Sequence, residues 1–329
     1  MFVQKATFDD LLREILSRVA SDGEKIKASR GHTRELYGVQ LELSNPRARL
    51  SLTESRGKIF SCLGELFWYL SGTGSLEFIK YYIKEYAKDS EDGATIHGAY
   101  GPRLFDARGI NQLQNVIELL KAKPRTRRAV IQIFDAADNA RTRKEVPCTS
   151  TLQFVMPDNK LSLIVNMRSN DALFGLPHDV FAFTMVQEIV ARSIGAEIGK
   201  YVHFVGSMHL YEDKIEMVDE YLREGFQDFT SAMPPMPIGD PWPMIAALKE
   251  VESLVRKDGK LPKTIGEMDP YWQDLALMFL AFSASKKHNE VQLREVAGRM
   301  HSEVYSQYIE AKIEAASARS GYQAHLNLD

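Results

Sequence analysis

STLQFVM (residues 150–156), PDNK (157–160) and LSLIVNMRS (161–169) read together as two strands and the turn between them. Leu152 and Phe154 on one side of the turn, and Leu161, Leu163, Val165 and Met167 on the other, recur at every second position. That is the period of a strand with one buried face, and a Pro-Asp-Asn sequence supplies the reversal. Upstream, NQLQNVIELLKAK (111–123) has the spacing of an amphipathic helix stopped by Pro124, and RAVIQIF (128–134) follows as a buried strand. Downstream, a helix is expected from about Pro177 to Ile194, then a strand YVHFVGSM (201–208) and a helix from about Leu210 to Glu224. Proline suits the first turn of a helix, where its missing N–H has no helical partner. Strands and helices mix without regular βαβ alternation, so the expected class is α+β rather than doubly wound α/β.

Nearer the start, Phe8, Leu11, Leu12, Ile15, Leu16 and Val19 lie at helical spacing behind Thr7, a suitable N-cap. GVQLEL (38–43) and RLSLTES (49–55) alternate as strands, joined through Ser44-Asn45-Pro46. GKIFSCLGELFWYL (57–70) is apolar nearly all round and reads as a buried helix. SAMPPMPIGDPWP (231–243) holds five prolines. It is expected to connect a body, 1–230, to a helical extension, 244–329, packed on it. Residues 245–257, 270–285 and 289–318 of that extension show helical periodicity.

The chain has 329 residues, 44% hydrophobic and 26% charged, which excludes a disordered class. Lys and Arg, 41 together, nearly balance 44 Asp and Glu, for a formal charge of −3, so no global electrostatic grip on nucleic acid or membrane is expected. Two cysteines, Cys62 and Cys148, make neither a disulfide framework nor a Cys-x-x-Cys site. Acids interrupt the opening MFVQKATFDDLLREIL where a secretory signal needs an apolar run, and LALMFLAFSA (275–284) is half a membrane span. The expectation is a soluble cytoplasmic protein.

Several short stretches have room for chemistry. Cys148, in Val146-Pro147-Cys148-Thr149, follows a charged loop and precedes the hairpin. A cysteine is commonly small core filling, and Cys62 inside IFSCLGEL reads that way. The arginines around Cys148 give it the setting in which cations lower a thiol pKa and make a nucleophile. Arg168-Ser169-Asn170-Asp171 ends the second hairpin strand, and Gly175-Leu176-Pro177-His178-Asp179 follows. A strand, a glycine-containing loop and a helix start in succession suit an anion or polar ligand. Pro124-Arg125-Thr126-Arg127-Arg128 is either a solvated strand entrance or a guanidinium clamp for phosphate.

Nine pieces in one order resemble the thymidylate synthase superfamily over roughly residues 29–224. They are Arg30, Glu-Leu-Phe-Trp-Tyr-Leu-x-Gly at 65–72, Tyr100-Gly101, Arg127-Arg128, Pro147-Cys148, Gln153-Phe154, Arg168-Ser169-x-Asp171, Gly175-Leu176-Pro177 and His209-Leu210-Tyr211. The resemblance implies a mixed β-sheet packed with helices and dimerising through the sheet. It implies that Cys148 attacks C6 of a pyrimidine nucleotide and that 5,10-methylenetetrahydrofolate is the co-substrate, with no metal. Arg168, Ser169 and Arg30 would hold the 5′-phosphate, and Arg127 and Arg128 would reach across from the second subunit of a homodimer. His209 and Tyr211 would bind the sugar hydroxyl, and Glu65 would organise proton transfers through water. Tyr100 would assist loss of the C5 proton, and Asp171 would meet the folate pterin.

The departures from the family pattern bear on the substrate. The family's Gly-Leu-Pro-x-Asn, whose Asn reads uracil, is Gly-Leu-Pro-His-Asp here, with Asp179 in place of Asn. A carboxylate accepts from the amino group of cytosine and, with one shared proton, also engages N3. Against uracil O4 it sets two acceptors face to face, at a cost on the order of 1–3 kcal/mol. The alternative role for Asp179 is to cap the nearby helix. Thr149 replaces the usual His after the nucleophile, His178 the usual Phe, and Asn166-Met167 the usual Tyr-Gln. Thr95-Ile96-His97-Gly98 stands where a folate-stacking tryptophan pattern is usual, and Gly321–Asp329 has no recognisable lid sequence. A site that is not dry favours water over hydride at an exocyclic methylene. The chain is therefore most similar to the CMP/dCMP 5-hydroxymethylase branch. Alternatives are reductive methylation of dUMP and a non-catalytic nucleotide- or RNA-binding protein on the same scaffold.

Overall fold

The computed structural model describes residues 1–28, 30–53, 57–227 and 232–326, with side chains described through residue 319. The chain divides into two compact units, Met1–Ala232 and Met233–Asp329. The first holds a seven-stranded mixed sheet in the order β1-β3-β7-β6-β5-β4, with β2 paired to β3 off that path.

The strands are β1 (Phe2–Lys5), β2 (Glu24–Ala28), β3 (Gly31–Leu43), β4 (Val130–Gln132), β5 (Thr149–Val155), β6 (Lys160–Asp171) and β7 (Glu197–Tyr211). β5 and β6 form the expected antiparallel hairpin, with Leu152 opposite Val165 and Phe154 opposite Leu163. β6 then runs parallel to β7, pairing Ser169 with Ser207 and Asp171 with His209. Parallel neighbours require a crossover, and α6 (Gly175–Ser193) supplies it. β3 pairs antiparallel with β7 and parallel with β1.

α1 (Phe8–Asp22) begins on Thr7, whose side chain accepts the Asp10 N–H, and buries the apolar stripe read from the sequence. α2 (Ile59–Leu70) is buried along nearly its whole length and packs on α6. α3 (Leu76–Tyr82), α4 (Tyr100–Phe105), α5 (Gln112–Ala122) and α7 (Ile215–Arg223) complete the first unit. The second unit comprises α8 (Trp242–Asp258), α9 (Pro270–Lys286), α10 (Glu290–Ala297) and α11 (Ser306–Leu326). α9, which contains the most apolar run of the chain, is a buried helix of this unit. Among the described residues no helix is long and apolar enough to cross a membrane.

Some expectations need correction. Residues 49–53 form no strand, and 54–55 lie outside the described residues. Arg49 is fully buried there and pairs with Glu188 at 2.5 Å, while Arg47 pairs with the same carboxylate at 2.8 Å, so alternation in this stretch marks a buried ion cluster rather than a sheet edge. The strand expected at 128–134 is only Val130–Gln132. The expected helix start at Leu210 is instead the end of β7, and the helix begins at Ile215. The 289–318 periodicity is two helices. They part where Asp274 accepts the backbone N–H groups of His301 at 2.8 Å and Ser302 at 2.9 Å, a tertiary contact invisible to periodicity.

Candidate active site

The hairpin and the crossover bring several sequence-nominated residues to one place in the first unit. Cys148 is half-buried at the entrance to β5, and its carbonyl accepts the Arg168 N–H at 2.8 Å. The Arg168 guanidinium folds back over this entrance. It donates to the Pro147 carbonyl at 2.9 Å and the Val146 carbonyl at 3.1 Å, and approaches Cys148 Sγ at 3.7 Å. Burial nevertheless dominates and pushes the Cys148 thiol up to about 11, Arg168 pulling the other way. Arg168 and Arg30 do lower this thiol's pKa, as expected of nearby arginines, but desolvation outweighs them.

Asp179 lies inside the first turns of α6 and is buried. It does not cap that helix. Its Oδ2 accepts from Asn170 Nδ2 at 2.8 Å. Burial, reinforced by the nearby Glu65, pushes its carboxyl well above the usual carboxylate range, with Asn170 pulling the other way. Glu65 is buried on α2, and its Oε1 accepts from both Tyr69 at 3.0 Å and Tyr86 at 2.5 Å. The exposed-helix-face alternative for Glu65 is excluded, and two phenols answer the cost of burying a carboxyl.

Tyr100 opens α4, and its Oη accepts from the Thr149 backbone N–H at 3.3 Å and from Thr149 Oγ1 at 3.0 Å. Burial and the neighbouring Asp179 raise its phenol well above the ordinary value, so it stays an O–H donor. Ser169 Oγ lies 3.3 Å from His209 Nδ1, and the rings of His209 and Tyr211 meet edge-on at 5.5 Å. Asp171 Oδ1 accepts the backbone N–H groups of Leu173 at 2.8 Å and Phe174 at 3.0 Å, shaping the loop into α6. Arg30 is exposed. It donates to the Lys144 carbonyl at 2.6 Å and to Asp89 at 3.2 Å, and its charge is felt at Cys148.

Arg127 and Arg128 are not brought to this cluster. Both are exposed ahead of β4, and the Arg127 carbonyl accepts from Gln153 Nε2 at 3.2 Å. His178 spans Ser61 Oγ and the Phe174 carbonyl, each at 2.9 Å. Among the described residues no group of His, Cys, Asp and Glu is arranged to hold a metal ion.

The order of these elements, from a cysteine at a strand entrance to Asp179 on the crossover helix, is matched by a family model. The model of thymidylate synthase covers residues 6–238. The chain belongs to the thymidylate synthase family. Similar proteins include a deoxyuridylate hydroxymethyltransferase of Delftia phage PhiW-14, 33% identical over 222 residues, 63% of this chain and 61% of that one. A deoxyuridylate hydroxymethyltransferase of Bacillus phage SP01 is 31% identical over 217 residues, 62% of this chain and 57% of that one. A thymidylate synthase of Francisella tularensis subsp. holarctica is 28% identical over 208 residues, 58% of this chain and 75% of that one. The chain thus spans about three fifths of the length of these two phage relatives.

Sequence reasoning missed several side chains that bond to the nominated residues or to one another behind them. Tyr69 lies one helical turn after Glu65, a spacing that could have flagged it. Tyr86, Asn170, Tyr201 and His203 reach their partners through tertiary folding, and only Tyr201 and His203, two apart on β7, share a sequence signal.

Proposed function

We propose that this chain adds a hydroxymethyl group to C5 of a cytidine 5′-monophosphate, CMP or dCMP, with 5,10-methylenetetrahydrofolate as co-substrate. The observation that carries this reading is Asp179, buried beside Asn170, its carboxyl pushed toward the protonated form, within electrostatic reach of Cys148 and Glu65. A neutral carboxyl offers one donor and one acceptor, and cytosine offers the complement, an accepting N3 and a donating amine. Uracil satisfies the same acid only with the proton on the other oxygen. Cytosine N3 is also basic enough to share that proton, which makes the pair charge-assisted, while uracil O4 is not.

In this reading Arg168 and Ser169, with Arg30, hold the phosphate. Arg127 and Arg128 of a second copy complete that site, which requires a homodimer. His209 and Tyr211 hold the sugar. Cys148 Sγ bonds to C6 as its proton leaves, Asp179 supports N3, and C5 becomes the carbon nucleophile. The folate supplies the one-carbon unit, and Asp171 at the α6 loop meets its pterin in this reading. Glu65, fixed by Tyr69 and Tyr86, passes protons through water, and Tyr100 orients the water that removes the C5 proton. Loss of the C5 proton breaks the bond between the transferred CH2 and tetrahydrofolate, which leaves; water then adds to the resulting exocyclic methylene, the C6–S bond breaks, and the hydroxymethyl group remains. The polar surroundings of Glu65 and the names of the phage relatives both favour water as the final nucleophile.

A second reading is favoured by those same names: the phage relatives are deoxyuridylate enzymes, so the same chemistry on dUMP is the alternative. The test is mass spectrometry of CMP, dCMP and dUMP after incubation with the protein and methylenetetrahydrofolate. A gain of CH2O on a cytosine nucleotide is expected. The same gain on dUMP alone overturns the base assignment, and a gain of CH2 with release of dihydrofolate overturns hydroxymethylation. Cys148→Ser is expected to abolish turnover and retain nucleotide binding. Asp179→Asn is expected to move preference toward uracil by about tenfold or more. Nucleotide or RNA binding without turnover by the unaltered protein would instead support a non-catalytic role.

A further inference from the structure

Behind Asp179 runs a buried chain of hydrogen bonds that the reaction as described does not use. Tyr201 Oη lies 2.6 Å from His203 Nδ1, His203 Nε2 lies 3.1 Å from Asn170 Oδ1, and Asn170 Nδ2 lies 2.8 Å from Asp179 Oδ2. All four side chains are buried, Tyr201 and His203 almost completely. We propose that Tyr201, His203 and Asn170 fix which oxygen of Asp179 carries the acid proton, and thereby let Asp179 pair with only one of the two pyrimidine bases. This deepens the reading of Asp179 as the group that contacts the base, and rests on it.

The direction of the chain follows from counting hydrogens. His203 is neutral, burial holding its imidazole down to about 3, so one ring nitrogen donates and the other accepts. Were Nδ1 the donor, Tyr201 would accept, and its own O–H would be left buried with no other partner among the described residues. The Tyr201 O–H and the His203 N–H are both used when Tyr201 donates to Nδ1, Nε2–H donates to Asn170 Oδ1, and the Asn170 amide donates one of its hydrogens to Asp179 Oδ2. That order also fixes the rotamer of the Asn170 amide, whose oxygen and nitrogen are otherwise interchangeable.

The consequence falls on Asp179. Its Oδ2 is held as an acceptor, so the acid proton resides on Oδ1. A lone neutral carboxyl can move its proton between oxygens and so offer a complementary pattern to either cytosine or uracil. A carboxyl with that choice removed presents a fixed order of donor and acceptor to a base already oriented by its sugar and phosphate. Tyr201, His203 and Asn170 are therefore positioning residues: they touch no substrate and act through Asp179.

The test is calorimetric binding of CMP, dCMP, UMP and dUMP to the full chain, unaltered and carrying Asn170→Ala or Tyr201→Phe. The unaltered chain is expected to prefer one base by about tenfold or more, Asn170→Ala to bring the two bases within about threefold, and Tyr201→Phe to move the ratio the same way by less. A merely structural role weakens both bases together and leaves their ratio alone. A ratio unchanged in variants that still bind overturns the relay, and Tyr201→Phe decides the matter if Asn170→Ala does not fold. A wild-type preference for uracil that collapses in the variants supports the relay while refuting the cytosine assignment. Equal or absent binding of both bases by the unaltered chain overturns the two together.

Discussion

Cys148 shows two opposing influences on one sulfur: a guanidinium 3.7 Å away and a largely desolvated position that together leave the thiol near 11. Alkylation by iodoacetamide reads this balance directly, because only the thiolate reacts. The rate at Cys148 is expected to be slow at neutral pH and to rise about tenfold per pH unit toward 11. Arg168→Met removes the stabilising cation and is expected to slow alkylation further at each pH below that value. A rate independent of pH between 7 and 9 would contradict the buried, protonated thiol. Cys62 does not confuse the measurement, since it is fully buried against α6, its Sγ 3.9 Å from the Pro177 carbonyl. The single residues were legible as types in a pattern. Their proton states were not, because those depend on burial and on partners far away in sequence. Glu65 was readable as a carboxyl among apolar neighbours, but nothing local predicted that Tyr86 would reach it.

At the scale of elements, α2 is pressed against α3 at Gly64, where an added Cβ would overlap the ring of Tyr82. Alanine gains up to about 1 kcal/mol of helix propensity over glycine, while overpacking costs about 3. Gly64→Ala is thus expected to destabilise the first unit by about 2 kcal/mol in urea unfolding, with Gly64→Ser no better. Elements held by a strong local period, namely the β5–β6 hairpin, α1, α5 and α6, were visible in the sequence. β1 and β2 were not: they are short, and both pair with the one edge of β3 that β7 leaves open, β2 at its start and β1 at its end. The strand expected at 49–55 failed because its buried positions include Arg49, which is accommodated by Glu188 rather than by a sheet partner.

For the whole molecule, the sheet leaves large apolar side chains exposed on four of its strands: Phe2, Tyr37, Val130 and Phe204. Together with Arg127 and Arg128, which stand away from the cluster around Cys148, they support the proposed homodimer. Subunit complementation tests it. Chains carrying Cys148→Ser and chains carrying Arg127→Ala with Arg128→Ala are each expected to be inactive. A mixture of equal parts is expected to recover roughly a quarter of wild-type turnover, since half the dimers are mixed and each of those has one complete site. No recovery after subunit exchange would place both arginines in the same subunit as the thiol they serve.

The parallel pairing of β6 with β7 has a consequence for how the protein matures. Arg168 and Ser169 close one strand, Asp179 begins the crossover, and His209 and Tyr211 close the next strand. No hairpin or isolated helix unites these groups, so they converge only when the long-range closure of the sheet is complete. A bound nucleotide would therefore act as a latch on the finished topology, retarding its opening while doing little to hasten its formation.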